Sequence, residues 1–197
     1  MIISEDLLVA YGAEYETYKP GHVIFHEDTA PRFYFQIVSG TVELNNYHED
    51  GKEFTQSILT DGKSLGESFL FSDRRYPTNA TAKTDCKILK LHKTDFYNLI
   101  QNKPEELINI VRALSESLHN KYVMMYSISS SDPSFKINSL MNYLKGDGNT
   151  EKFSFKVPLT RKQLAHLTGL RVETVIRTVK KLHNNNILKI KNGKIFY

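Results

Sequence analysis

The sequence predicts an α+β chain in three parts: a β-rich N-terminal roll, one long central helix and a C-terminal winged helix-turn-helix. Three observations point there. Short apolar runs broken by glycine recur through the first hundred residues, a one-sided apolar stripe follows Pro104 for more than twenty residues, and residues 159–197 carry the spacing of two short helices and a hairpin.

In the first part, Lys19-Pro20-Gly21 precedes an apolar run over residues 22–25. Residues 33–38 form a second run that ends at Ser39-Gly40, and residues 41–44 start again at once. Asp50-Gly51 and Asp61-Gly62 mark further turns, and Ala80-Thr81-Ala82 leads into the alternating segment 85–91. Short strands with glycine at the corners read as a compact barrel or jelly roll, here assigned to residues 1–103. Cys86 is the single cysteine, so one chain can form no internal disulfide and no multi-cysteine metal or iron–sulfur site. Its alternating context reads as a small buried residue, with a redox sensor as the competing reading.

Pro104 suits the first turn of a helix. Leu107, Val111, Leu114, Leu118 and Met125 then keep near-heptad spacing, with a break at Lys121-Tyr122. Two copies pairing along such a seam would bury it; packing of the stripe within one subunit is the alternative. Residues 104–131 are read as dimerisation helix and hinge, the hinge lying in 127–133. Residues 132–197 are read as a second domain that opens with a helix through Ile137, Leu140, Met141 and Leu144.

Within that domain Thr160 and Gln163 form a capping-box pair that starts a helix near Arg161. The helix runs out at Thr168-Gly169, where glycine can take the left-handed conformation that ends helices. A second helix starts near Val172. At 100° per residue, Val172, Val175, Ile176, Val179 and Leu182 fall on one side, and Glu173, Thr174, Arg177 and Lys181 on the other. One side is expected to pack and the other to read. Asn192-Gly193 between two short alternating runs is a strong hairpin signal and supplies the wing. Phe153, Phe155 and Val157 suggest a further short strand ahead of the motif.

Charge separates this reading from that of an ordinary solvated helix. Residues 151–197 hold eleven Lys or Arg against two Asp or Glu, a net +9, whereas the whole chain carries only +4. A basic segment on this motif is the footprint of a module that neutralises phosphates, so double-stranded DNA is the expected partner. The 197 residues suffice for one large or two small domains. No apolar run approaches the roughly 20 residues that span a bilayer. The N-terminus has no basic signal-peptide start, so a cytoplasmic protein with no membrane partner is expected.

Taken together, several segments resemble the cyclic-AMP receptor protein and fumarate-nitrate regulator (Crp/Fnr) family of bacterial transcription factors. They are Lys19-Pro20-Gly21 with Ile24-Phe25, the run from Phe35 through Gly40 to Val42, Gly66-Glu67, the segment from Ala82 to Cys86, Asn102-Lys103-Pro104-Glu105, and the winged motif. The resemblance covers nearly the whole chain. It implies a cyclic-nucleotide-binding-type β-roll, a dimerisation helix and a winged helix in a homodimeric, non-enzymatic transcription regulator that works with RNA polymerase. Two recognition helices about 34 Å apart would read a near-palindrome. The family's recognition helix has a glutamate and an arginine four residues apart; Glu173 and Arg177 match them. Carboxylate accepts from cytosine N4 and guanidinium donates twice to guanine. Val172, in place of the extra arginine of the cyclic-AMP receptor branch, makes the helix similar to the fumarate-nitrate branch and implies a TTGA-like inverted repeat. The DNA-contact set expected is Thr160, Arg161, Arg171, Glu173, Thr174, Arg177, Lys181 and Lys191, with Lys189 and Lys194 as further wing cations.

The resemblance also locates an effector site, and there this sequence departs from the family. Gly66-Glu67, followed by Ser68, matches the pair that holds the ribose. The Arg-Ser pair that holds the cyclic phosphate is replaced by Tyr76-Pro77, and proline has no N–H to offer. The polar pair of the dimer helix is replaced by Lys121-Tyr122. Cyclic AMP is therefore not expected, and Arg74 or Arg75 is left to serve another small anion. The alternatives are a vestigial pocket and a cyclic-nucleotide-responsive regulator of the same fold. The iron–sulfur-ligating cysteines of the oxygen-sensing branch are absent, and His22, His26, His48 and His92 show no paired metal-ligand spacing, so no cofactor is expected. A cupin-like enzyme would need clustered metal ligands or a nucleophile beside a base, and neither stands out.

Overall fold

The computed structural model describes residues 1–72, 74–146 and 151–197; Asp73, at the head of the arginine-bearing loop, lies outside them. In order, the elements are α1 (Glu5–Ala10), β1 (Glu14–Tyr18), β2 (Val23–Phe25), β3 (Phe33–Ser39), β4 (Val42–Tyr47), β5 (Glu53–Leu59), β6 (Ser64–Leu65), α2 (Glu67–Leu70), β7 (Asn79–Ala82), β8 (Cys86–His92) and α3 (Lys93–Asn102). They continue with α4 (Pro104–Ser129), α5 (Pro133–Lys145), α6 (Arg161–Thr168), α7 (Val172–Asn184), β9 (Lys189–Lys191) and β10 (Lys194–Phe196). The chain divides within α4 into two compact units, Met1–Glu116 and Ser117–Tyr197.

The first unit is a roll of two antiparallel four-stranded sheets, ordered β1-β8-β3-β6 and β2-β7-β4-β5. The period of two along β3 and β8 gives this unit two cores. Phe35, Ile37 and Ile88 point between the sheets, where they meet Phe25, Val42, Leu65, Tyr76 and Ala80. Tyr34, Leu89 and Leu91 point the other way, onto Leu8 of α1 and Phe96 and Leu99 of α3. Cys86 is buried in the inter-sheet core.

Gln36 is fully buried on the helix side of β3, and its amide answers three polar groups. Its Nε2 donates to the Ile3 carbonyl at 2.7 Å, while its Oε1 accepts from the Ile3 N–H at 3.0 Å and from the Tyr34 hydroxyl at 2.9 Å. The N-terminal segment is thus tied to the sheet by one side chain.

The central helix carries two apolar faces. Leu107, Ile110 and Leu114 pack against the helix-side core of the first unit, so Leu107 and Leu114 do not belong to the free seam that the sequence suggested. Apart from Tyr126, whose ring meets Phe135 of α5 edge-on at 5.8 Å, the exposed large apolar residues are Ile108, Val111, Leu118, Tyr122 and Met125. Steps of three, seven, four and three residues separate them, with Ser115 at the missing heptad position. Tyr122 therefore continues the seam where the sequence reading had it broken. The helix also runs through Ser127 and Ser129, residues read as hinge; only three residues part it from α5, whose first turn is capped by the Asp132 side chain accepting from Ser134 N–H.

In the second unit α5, α6 and α7 enclose a core of Ile137, Leu140, Met141, Leu164, Val175, Val179 and Leu182, and the β9–β10 hairpin adds Ile195. The strand expected over residues 153–157 is reduced to its second half: Phe155 and Tyr197 exchange backbone hydrogen bonds at 3.1 and 2.8 Å, and Val157 N–H donates to the Ile195 carbonyl at 2.9 Å around the bridge of Lys156 to Phe196, whereas Phe153 has positive φ and stands outside the extended stretch.

Replacing Gln36 by leucine would leave the Ile3 N–H and carbonyl unanswered in the core and take one of the bonds of the Tyr34 hydroxyl, at a cost of about 2–3 kcal/mol. Gln36→Leu is expected to lower the thermal midpoint by roughly 5–10 °C, as read by circular dichroism; an unchanged melt would show that the amide holds nothing.

Candidate functional site

The reading head is built from the caps inward. Thr160 caps α6 by accepting from Gln163 N–H at 3.1 Å, and Gln163 Oε1 accepts from Thr160 N–H at 3.0 Å, completing a capping box. The Thr160 hydroxyl is thus engaged in the cap. Gly169 closes α6 at φ +67, the left-handed turn for which glycine is suited. Three residues later α7 begins.

On α7 the side chains of Val175, Thr178, Val179 and Leu182 are buried. Glu173, Arg177, Lys180 and Lys181 are exposed, and Thr174 is half-buried at their edge. None of the ion pairs among the described residues engages Glu173 or Arg177. Glu173 and Arg177 stand one turn apart on the same open side. Ile176 departs from the helical-wheel expectation: it is 41% exposed instead of packed, and Thr178 is buried in its stead. Lys180 is a further outward cation that the reading of the sequence passed over, although its position one turn beyond Ile176 marks it.

Arg171 occupies the N-cap position of α7 with an exposed side chain that makes no cap bond, which leaves its guanidinium open to an anion. Arg161 is partly committed: its Nη1 donates to the Gly193 carbonyl at 2.9 Å, tying the start of α6 to the wing turn. Partial burial pulls its pKa below the usual arginine value, yet arginine stays charged. In the wing, Asn192 and Gly193 both take positive φ, as a tight two-residue hairpin requires. Lys189 sits 4.6 Å over the Phe153 ring and Lys191 5.5 Å over Phe196, so aromatic faces hold two wing cations in place.

The second candidate site lies in the roll. Gly66, buried and at φ +77, caps the single turn of α2, followed by half-buried Glu67 and exposed Ser68. The ring of Tyr76 lies directly over Gly66. A Cβ at that glycine would come within 2.7 Å of the tyrosine ring carbon Cε1. The ring also stacks on Phe25 at 3.8 Å and meets Phe69 edge-on at 5.9 Å. It is 3% exposed, and its hydroxyl has no hydrogen-bond partner among the described residues. Burial, with the Glu67 carboxylate nearby, pushes that hydroxyl's pKa up, so it stays protonated.

The backbone around Tyr76 is equally committed. Its N–H donates to the Thr29 carbonyl at 3.0 Å and its carbonyl accepts from Asp28 N–H at 2.8 Å. Arg75 turns outward, donating to the Asp28 carbonyl at 2.6 Å, and Arg74 is exposed. Neither Tyr76 nor Pro77 offers a free N–H to a phosphate, and neither arginine is in the interior of the roll. Lys121 and Tyr122 are exposed on the part of α4 that belongs to the second unit. Among the described residues no group of three or more His, Cys, Asp or Glu gathers as metal ligands would, and no helix is long and apolar enough to cross a membrane.

Comparison with known proteins matches both domains. Residues 15–103 match the cyclic nucleotide-binding domain family and residues 137–196 the Crp-like helix-turn-helix domain family. The cAMP-activated global transcriptional regulator CRP of Haemophilus influenzae is 27% identical over 165 residues, which span 82% of this chain and 73% of that protein. Among solved structures, the c-di-GMP-responsive global regulator CLP of Xanthomonas campestris superposes with a TM-score of 0.79 at 18% identity, over 97% of this chain and 96% of that one. A CooA mutant from Carboxydothermus hydrogenoformans gives 0.81 at 18% identity, over 98% and 87%. At such identities the structural likeness speaks for the fold alone. With both domains matched in their order, the chain belongs to the Crp/Fnr family of DNA-binding transcription regulators.

Proposed function

We propose that the protein works as a homodimer that reads a TTGA-like inverted repeat through Glu173 and Arg177, acts at promoters with RNA polymerase, and does not use cyclic AMP as its effector. The observation that carries the reading is the open face of α7, where a carboxylate and a guanidinium stand one turn apart without ion-pair partners. Leaving both unpaired beside several cations suits a surface whose partner is another molecule.

Dimerisation is supported by the exposed heptad seam from Ile108 to Met125. Large apolar side chains repeated at that spacing favour a second copy of the same helix over water. A two-fold axis along the seam would present two reading heads to successive major grooves.

The case against cyclic AMP rests on Tyr76, whose ring fills the space above Gly66, and on the Tyr76-Pro77 pair, where one N–H is already bonded to Thr29 and the other is absent. The opposed reading, a cyclic-nucleotide-responsive regulator, draws on the family match of residues 15–103; the Tyr76 ring over Gly66 stands against it. An effector of another kind would have to bind the two arrangements of the dimer with different affinity. With no effector, control would pass to the abundance of the protein.

Leu118→Glu would set like charges against each other in the seam, and the variant is expected to sediment as a monomer where the unaltered protein is a dimer; a persisting dimer would remove α4 as the interface. Arg177→Ala should weaken operator binding by about 1–3 kcal/mol and relax discrimination at one guanine. Competition gel shifts with single-base operator variants would read this, and equal weakening on all sequences would count against base recognition. Millimolar cyclic AMP is expected to leave the thermal midpoint unmoved, since a ligand that binds only the folded state must raise it; a concentration-dependent rise would overturn the exclusion.

A further inference from the structure

We infer that Ile176 is a specificity-determining residue, which recognises the C5-methyl group of one thymine in each half-site through direct apolar contact. The inference rests on the DNA-reading role proposed for α7 and adds a third reading side chain to Glu173 and Arg177.

The first ground is an inversion of the usual order of burial. Ile176 is 41% exposed while Thr178, two residues on, is 7% exposed in the same helix. Exchanging them would bury more apolar surface and remove a buried hydroxyl, which hydrophobic burial alone would favour. The core does not need Ile176 either, because Val175, Val179 and Leu182 already close it at 3% exposure or less.

The second ground is position. At 100° per residue Ile176 stands 60° from Glu173, at its side and one turn along, and 40° from Lys180. Glu173, Arg177 and Lys180 are all exposed. An isolated surface isoleucine means little by itself. This one sits at the edge of the polar arc, next to Lys180, where it borders the base edges if α7 lies in a major groove, and half-buried Val172 lies one turn behind it on the same flank. The apolar feature of that groove is the thymine methyl group, which marks T apart from C and from the purines. A branched aliphatic side chain, held by its β-branch in few rotamers, is suited to cover a methyl group.

The test removes the methyl group alone. An operator is first selected from random-sequence duplexes, so that the outcome does not depend on the TTGA assignment. Each thymine of the half-site is then replaced, symmetrically in both halves, by deoxyuridine. Covering one methyl group is worth about 0.8 kcal/mol, or three- to fourfold in affinity, and therefore roughly tenfold for two half-sites. The unaltered dimer is expected to lose about that factor at one position, and Ile176→Ala to lose nothing further there, whereas Arg177→Ala keeps the deoxyuridine effect. Ile176→Ser, which puts a small polar hydroxyl in place of the branched apolar side chain, should behave as the alanine variant does; thermal melts of both confirm that they fold. If no deoxyuridine weakens binding, or if the loss is the same in Ile176→Ala, the inference is wrong while base reading by Arg177 stands. If selection enriches no sequence at all, the DNA-reading role falls with it.

Discussion

Packing of one side of α7 against α5 and α6 is the constraint on which the functional surface depends. Val175, Val179 and Leu182 are almost fully buried, and that burial fixes the rotation of the helix about its own axis. A turn of a few tens of degrees would bring Glu173 and Arg177 toward the core and Val175 into water. The capping box at Thr160, the left-handed Gly169 and the bond from Arg161 to the Gly193 carbonyl brace the neighbouring elements around it. The apolar side holds the helix still, and that leaves the exposed side in one orientation.

The long helix solves a different problem with the same physics. Its first turns are committed to the roll through Leu107, Ile110 and Leu114, and a second stripe about a fifth of a turn away is left in solvent. A single helix with two apolar faces links whatever happens in the roll to whatever covers the seam. The roll itself is filled from within. Phe25, Phe69 and Tyr76 occupy the space over Gly66, so an entering ligand would have to move aromatic side chains that are already packed.

Element ends were the most legible part of the sequence, because they depend on local chemistry. Thr160 with Gln163, Thr168-Gly169, Asn192-Gly193 and Pro104 each act within four residues, and each ends or starts an element where the spacing indicates. Glu173 and Arg177 were legible as an outward pair for the same reason. Facing was less legible, since it depends on what lies across the core. Leu107 and Leu114 carry the same heptad signal as Leu118, yet only the tertiary fold decides that they serve the roll. Tyr122 was passed over because an aromatic was not counted in an aliphatic stripe. Ile176 was assigned to the core by hydrophobicity, whereas the core had room for Thr178. The family resemblance sets Tyr76-Pro77 where an anion-binding pair is expected, but that the tyrosine ring would fold back over Gly66 was not legible in the sequence.

The central claim is that a charge-dense, duplicated head binds DNA, and its most direct measure is the salt dependence of binding to a palindromic duplex. A dimer that neutralises several phosphates per head should show log K falling linearly with log salt with a slope of roughly −6 to −10, and should retain a residual preference for the palindrome over a scrambled duplex at every salt. A slope near zero, or equal affinity for both duplexes throughout, would contradict the account.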